Sequence, residues 1–100
     1  YQIEVTSRRP LLDVDFDDPC VDLIKRSYKE IMGKDVEVAV GAGACDASWI
    51  QKVVGTPMPF FGGAEDFAEC AMAKPNERIK LKTYYDFIKI YMMTVVNALS

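Results

Sequence analysis

The chain has 100 residues, half of them hydrophobic and 11 % aromatic, with 15 acidic against 12 basic side chains and a net charge of −3. That size makes one small domain or a piece of a larger one, and the apolar content excludes a disordered tail. The mild acidity, with no basic block, excludes nucleic acid as a partner, and no apolar run approaches the roughly 20 residues that span a bilayer.

In chain order, Gln2–Ser7 sets Ile3 and Val5 against Glu4 and Thr6, the period of a half-buried strand. Arg8-Arg9-Pro10 stops it, and the acidic stretch Leu11–Asp17 reads as an extended connector. Asp18-Pro19 is a helix start, an N-cap followed by proline at the first helical position. Cys20, Leu23, Ile24, Ser27, Tyr28 and Ile31 then share one face as far as Gly33, the left-handed stop. Val36, Val38 and Val40 alternate with polar or small residues and predict a strand that feeds the loop at Gly41. Asp46 is placed to cap a short helix, Ala47–Val54, which Gly55 ends.

Thr56–Phe61 predicts a short edge strand, because Pro57 and Pro59 restrict its pairing. Asp66–Met72 has the pattern of a helical turn or two. Thr83, with Asp86 three residues on, is close to a capping box. Tyr84, Ile88, Tyr91, Met92, Val95 and Leu99 give the following helix a wide apolar face, suited to packing on a sheet. Strands alternating with helices predict an α/β fold with a mainly parallel sheet.

Two loops concentrate the chemistry. Gly41-Ala-Gly43-Ala44-Cys45-Asp46 and Gly62-Gly63 would each sit at a strand end, where open α/β sheets bind ligands. Together they would make half of an active-site rim. The first loop lacks the third glycine and the later acid of a dinucleotide fingerprint, and no Walker lysine follows, so a tight strand-to-helix turn fits better. Glu65, Asp66 and Glu69, with Cys70 alongside, are a metal-capable cluster or a solvated acidic loop. Histidine is missing from the whole chain, which removes the commonest metal ligand and general base. Cys45 at a helix start would have an activated thiol but no histidine to serve as its base. The three cysteines, Cys20, Cys45 and Cys70, cannot all pair, which points to a reducing, cytoplasmic compartment. No signal-peptide pattern opens the chain, and a start at Tyr1-Gln-Ile without Met suggests that a segment precedes it.

Taken together, Gly43-Ala44-Cys45-Asp46-Ala47-Ser48, Gly55-Thr-Pro-Met-Pro-Phe-Phe-Gly62-Gly63, Ala73-Lys-Pro-Asn-Glu77 and the final helix resemble the C-terminal part of a zinc-dependent family. That family comprises aminoacylases, acetylornithine deacetylases, succinyl-diaminopimelate desuccinylases and carboxypeptidase G. The resemblance covers nearly the whole chain and rests on the order and spacing of the motifs. It implies that residues 1–17 are the last strand of an inserted lid domain and its connector. Residues 18–100 would then be the C-terminal portion of a mainly parallel-sheet catalytic domain.

The implied chemistry is hydrolysis of amide bonds in N-acyl amino acids or small peptides by two zinc (or cobalt) ions and a glutamate base. Those ions would belong to the full-length parent, with none expected in this piece and no catalytic residue within it. Gly41, Gly43, Ala44, Cys45, Asp46, Gly62 and Gly63 would line the substrate, and Glu77 would anchor the last helix. A homodimer through the parent's lid domain is a possible partner arrangement.

Three positions depart from the family pattern. Ala73 stands at the family's last histidine ligand, Ala44 at its threonine and Ser48 at its arginine. Either Glu65, Asp66 or Glu69 replaces the missing ligand, or the protein is a non-catalytic relative serving as a binding or scaffold module. The third alternative is that the histidine was removed, or that the chain is one domain of something larger.

Overall fold

A computed structural model of the chain describes residues 1–40, 45–62 and 68–100. Its regular elements are three helices: α1 (Pro19–Met32), α2 (Ala47–Val54) and α3 (Leu81–Ala98). The start of α1 follows from its sequence, since the Asp18 carboxylate accepts the Cys20 N–H at 2.9 Å and Pro19 opens the first turn. The Cys20 thiol, and behind it that N–H, hold the Asp18 carboxyl below its ordinary pKa. Gly33 closes the helix in the left-handed region, returning its N–H to the Lys29 carbonyl.

The expected α/β architecture is corrected at this level: no strand occurs among the described residues. Gln2–Ser7, Val36–Val40 and Thr56–Phe61 run without secondary structure. Alternation of apolar and polar residues marks a segment that could present one face to a core. A strand, however, exists only when a second segment takes up its N–H and C=O groups. Here Ile3 and Val40 face solvent, at 89 % and 87 % exposure, while Val36 and Val38 are only half-buried. The prolines at positions 57 and 59 also lack the N–H that a ladder needs.

α1 and α3 pack against each other, and α2 contacts neither. The seam is small and polar. Ser27 of α1 is fully buried, donating from Oγ to the Leu23 carbonyl at 2.8 Å and accepting from Asn97 Nδ2 at 3.0 Å. Asn97 Nδ2 also reaches Glu30 Oε1 at 3.3 Å, which ties the end of α3 to the end of α1. On α3 the inward residues are Thr83 and Ile90, with Phe87, Thr94 and Asn97 half-buried. The face predicted to be buried (Tyr84, Ile88, Tyr91, Met92, Val95, Leu99) is instead exposed. α3 is apolar nearly all round, so periodicity alone does not choose a side. The stripe that turns inward mixes Phe87 and Ile90 with Thr83, Thr94 and Asn97, and Asn97 bonds the buried serine of α1.

One cap also differs from expectation. α3 begins at Leu81 with Lys80 as its N-cap, so Thr83 lies buried inside the first turn and forms no capping box. Glu77 precedes the helix and donates its N–H to the Lys74 carbonyl, which closes a turn.

The core is correspondingly slight. Among the described residues only Val21 and Ile90 are fully buried apolar side chains. The accessible surface is 8291 Å², against about 5,700 Å² for a folded chain of this size. The radius of gyration is 15.9 Å, where about 13 Å is usual.

Candidate functional site

The segment 56–61 joins α2 to the helical pair. On one side the Met58 N–H donates to Gln51 Oε1 of α2 at 3.2 Å, while Gln51 Nε2 donates to the Asp13 carbonyl at 2.8 Å. One glutamine amide thus holds the connector, α2 and the 56–61 segment together. On the other side Phe61 inserts edge-on among Tyr28 of α1 and Phe87 and Tyr91 of α3, at centroid distances of 6.3, 5.5 and 5.7 Å. Such edge-to-face contacts are a favoured aromatic geometry.

This arrangement leaves an open, mainly apolar groove of about 610 Å³ between α1 and α2. Leu23 and Ile24 form one wall, Ile50 and Val54 the other, and Pro57–Phe61 the floor. Ala47 and Phe61 both line it. These two residues immediately follow Asp46 and precede Gly62, so both candidate loops adjoin the same groove.

Gly41, Gly43 and Ala44 of the first loop, and Gly63 of the second, lie outside the described residues. Cys45 is half-buried, and its carbonyl accepts the N–H and Oγ of Ser48 at 3.2 and 2.8 Å. Ser48, where the family pattern has arginine, is therefore a buried residue that closes the first turn of α2. Asp46 does not cap that helix with its side chain; its carboxylate lies 3.6 Å from Arg9 Nη1 instead. Its backbone is already helical, with φ −66° and ψ −21°. An N-cap side chain needs extended backbone to turn back onto the next N–H groups.

Gly62 is held closely. Its φ of +100° suits glycine, and a Cβ at this position would overlap Tyr91 Oη, with Tyr91 Cζ 3.3 Å away. The Tyr91 hydroxyl donates to the carbonyl of Phe61 at 2.7 Å. Sequence reasoning placed Tyr91 in a core face and gave Gln51 no role. Both act across 30 or more residues, or through one amide, and no local pattern marks either.

Among the described residues no group of three or more His, Cys, Asp or Glu side chains could hold an ion. Ala73 has no ligating atom and sits in left-handed backbone at φ +58°. Glu69 is paired with Lys80 Nζ at 2.9 Å, and Glu65 and Asp66 lie outside the described residues. The turn itself is tight: Ala71 and Asn76 also have positive φ, and the Arg78 N–H closes it on the Cys70 carbonyl at 2.9 Å. Cys20 opens toward the groove, where partial burial and the neighbouring Asp18 carboxylate push its thiol up to about 11. It is a poor nucleophile at neutral pH.

The family model for peptidase family M20/M25/M40 matches residues 1–97. Neither a curated protein nor a solved structure matches the chain. No helix among the described residues is long and apolar enough to cross a membrane.

Proposed function

Since the chain belongs to peptidase family M20/M25/M40, whose members are generally metal-dependent, we propose that it is part of a cytoplasmic hydrolase of amide bonds in N-acyl amino acids or small peptides. In this reading residues 1–17 lead in from a lid domain through which the parent dimerises, and residues 18–100 contribute one wall of the substrate cleft. Gly41, Gly43, Ala44, Cys45, Asp46, Gly62 and Gly63 form that wall, chiefly through backbone. The described residues do not fit a zinc or cobalt centre. In this reading the ions, which would polarise the scissile carbonyl, and the general base belong to the rest of the intact protein.

The observation that carries this reading is the family match across 1–97. It is supported by the groove that both candidate loops adjoin. The surplus of exposed apolar surface, Trp49, Val53, Phe60 and Met92 included, supports a chain that is covered by further protein.

Ala73 favours a second reading. With alanine where the family places its last ligand, the protein would be a non-catalytic relative that keeps the fold as a binding or scaffold module. Metal analysis and an amide-hydrolysis panel on the intact gene product separate the two. Bound zinc with turnover of N-acyl amino acids or dipeptides supports the enzyme; neither metal nor turnover establishes the scaffold.

A further inference from the structure

Tyr91 stands on the exposed side of α3 at 48 % exposure, yet both of its features converge on one point of the chain. Its hydroxyl donates to the Phe61 carbonyl at 2.7 Å, and its ring stands edge-on to the Phe61 ring at 72°. Directly after that carbonyl, Gly62 adopts φ +100° with its missing Cβ pointing at the same hydroxyl. A half-exposed phenol bonded to a carbonyl contributes no more than one ordinary neutral hydrogen bond to stability, because water offers a competing bond. Its consequence is positional. The phenol holds the carbonyl that ends the groove floor and closes over the residue at which the second candidate loop begins.

We propose that Tyr91 is a positioning residue for the substrate cleft: its hydroxyl pins the Phe61–Gly62 peptide at the end of the groove floor and so fixes where that backbone stands relative to the groove. The inference rests on the functional reading above, in which Gly62 and the groove beside it face an N-acyl amino acid or small peptide. A wall displaced by loss of the pin weakens binding of substrate in its ground and transition states alike. The reacting groups lie elsewhere, and the bond-breaking step is untouched.

The test is Tyr91→Phe in the intact protein, which deletes the hydroxyl and keeps every ring contact. Steady-state kinetics on N-acetyl amino acids and dipeptides should show KM raised about 3- to 10-fold, the worth of one neutral hydrogen bond, with kcat within about twofold. Amide hydrogen exchange is read in parallel on peptides covering residues 57–62 and 19–32. Exchange should quicken in the first and stay unchanged in the second. An unchanged KM in an active protein overturns the proposal, as does a fall in kcat at constant KM. Unchanged exchange at 57–62 overturns the pin itself, whatever the kinetics. If the unaltered protein hydrolyses none of these substrates, the functional reading fails and takes the substrate part with it; the exchange result then decides the pin alone.

Discussion

Among the described glycines, replacing Gly62 by alanine should be the most damaging substitution, and the structure gives its two components separately. Backbone at φ +100° is outside the regions open to a residue with a Cβ, a strain of about 1–3 kcal/mol. The new methyl also overlaps Tyr91 Oη and displaces it from the Phe61 carbonyl, a loss of about 0.5–1.5 kcal/mol. The total is about 1.5–4.5 kcal/mol. Gly55→Ala is the internal control, because Gly55 has φ +75° and nothing within 4 Å of its absent Cβ. It should cost only the left-handed penalty of about 1–2 kcal/mol. Urea unfolding of the intact protein measures both. The decisive comparison repeats Gly62→Ala in a Tyr91→Phe background, where the overlapping oxygen is gone and the nearest ring atom, Cζ, can yield by a few tenths of an ångström. There the substitution should cost about 1 kcal/mol less, a coupling that unrelated sites do not show. Costs that add within about 0.3 kcal/mol would mean that Tyr91 does not close over Gly62, and the positional argument would fail with it.

At the helix seam, Asn97→Ala removes the bonds to Ser27 and Glu30 but leaves Ser27 donating to Leu23. It should lower stability by about 1 kcal/mol, whereas Ser27→Leu forces volume into a closed contact and should cost about 1–3 kcal/mol or more; equal losses in thermal unfolding would refute the close-packed seam. Alkylation of Cys20 by iodoacetamide, followed by mass spectrometry, should show a midpoint near pH 11. Because this folded-state pKa is raised from about 9.0, its contribution to stability is full below about pH 9 and is lost as pH rises through about 11; a midpoint near 9 would show that the thiol is not held by its surroundings. Expressed alone, residues 1–100 should bind the dye ANS strongly and self-associate in sedimentation, given an accessible surface of 8291 Å²; a monomer that binds no dye would contradict the exposed apolar faces.

How much of this was legible beforehand depends on the range over which each feature is decided. Asp18, Pro19 and Gly33 delimit α1, and Gly55 ends α2, because a cap is settled by a few neighbouring residues and their backbone groups. The motif order that marks the family was equally readable. The candidate loops could be located by their glycines, yet only Cys45, Asp46 and Gly62 fall among the described residues, and the role expected of Asp46 as a cap went to Arg9 contact instead. The alternating segments at Ile3–Val5 and Val36–Val40 expressed a capacity for pairing that no described partner meets, since a ladder is a property of two segments.

The amino-acid order by itself determined where α1 starts and stops, where α2 stops and which family motifs recur, because those depend on local conformational preference. Only the tertiary structure decided which side of α3 turns inward, that Gln51 joins three segments, and that Tyr91 meets Gly62. Each of those outcomes requires residues distant in the chain to compete for the same space: the stripe of α3 that carries Phe87, Ile90 and Asn97 turns toward α1 and its buried serine, and the face of Tyr84, Met92 and Leu99 stays exposed.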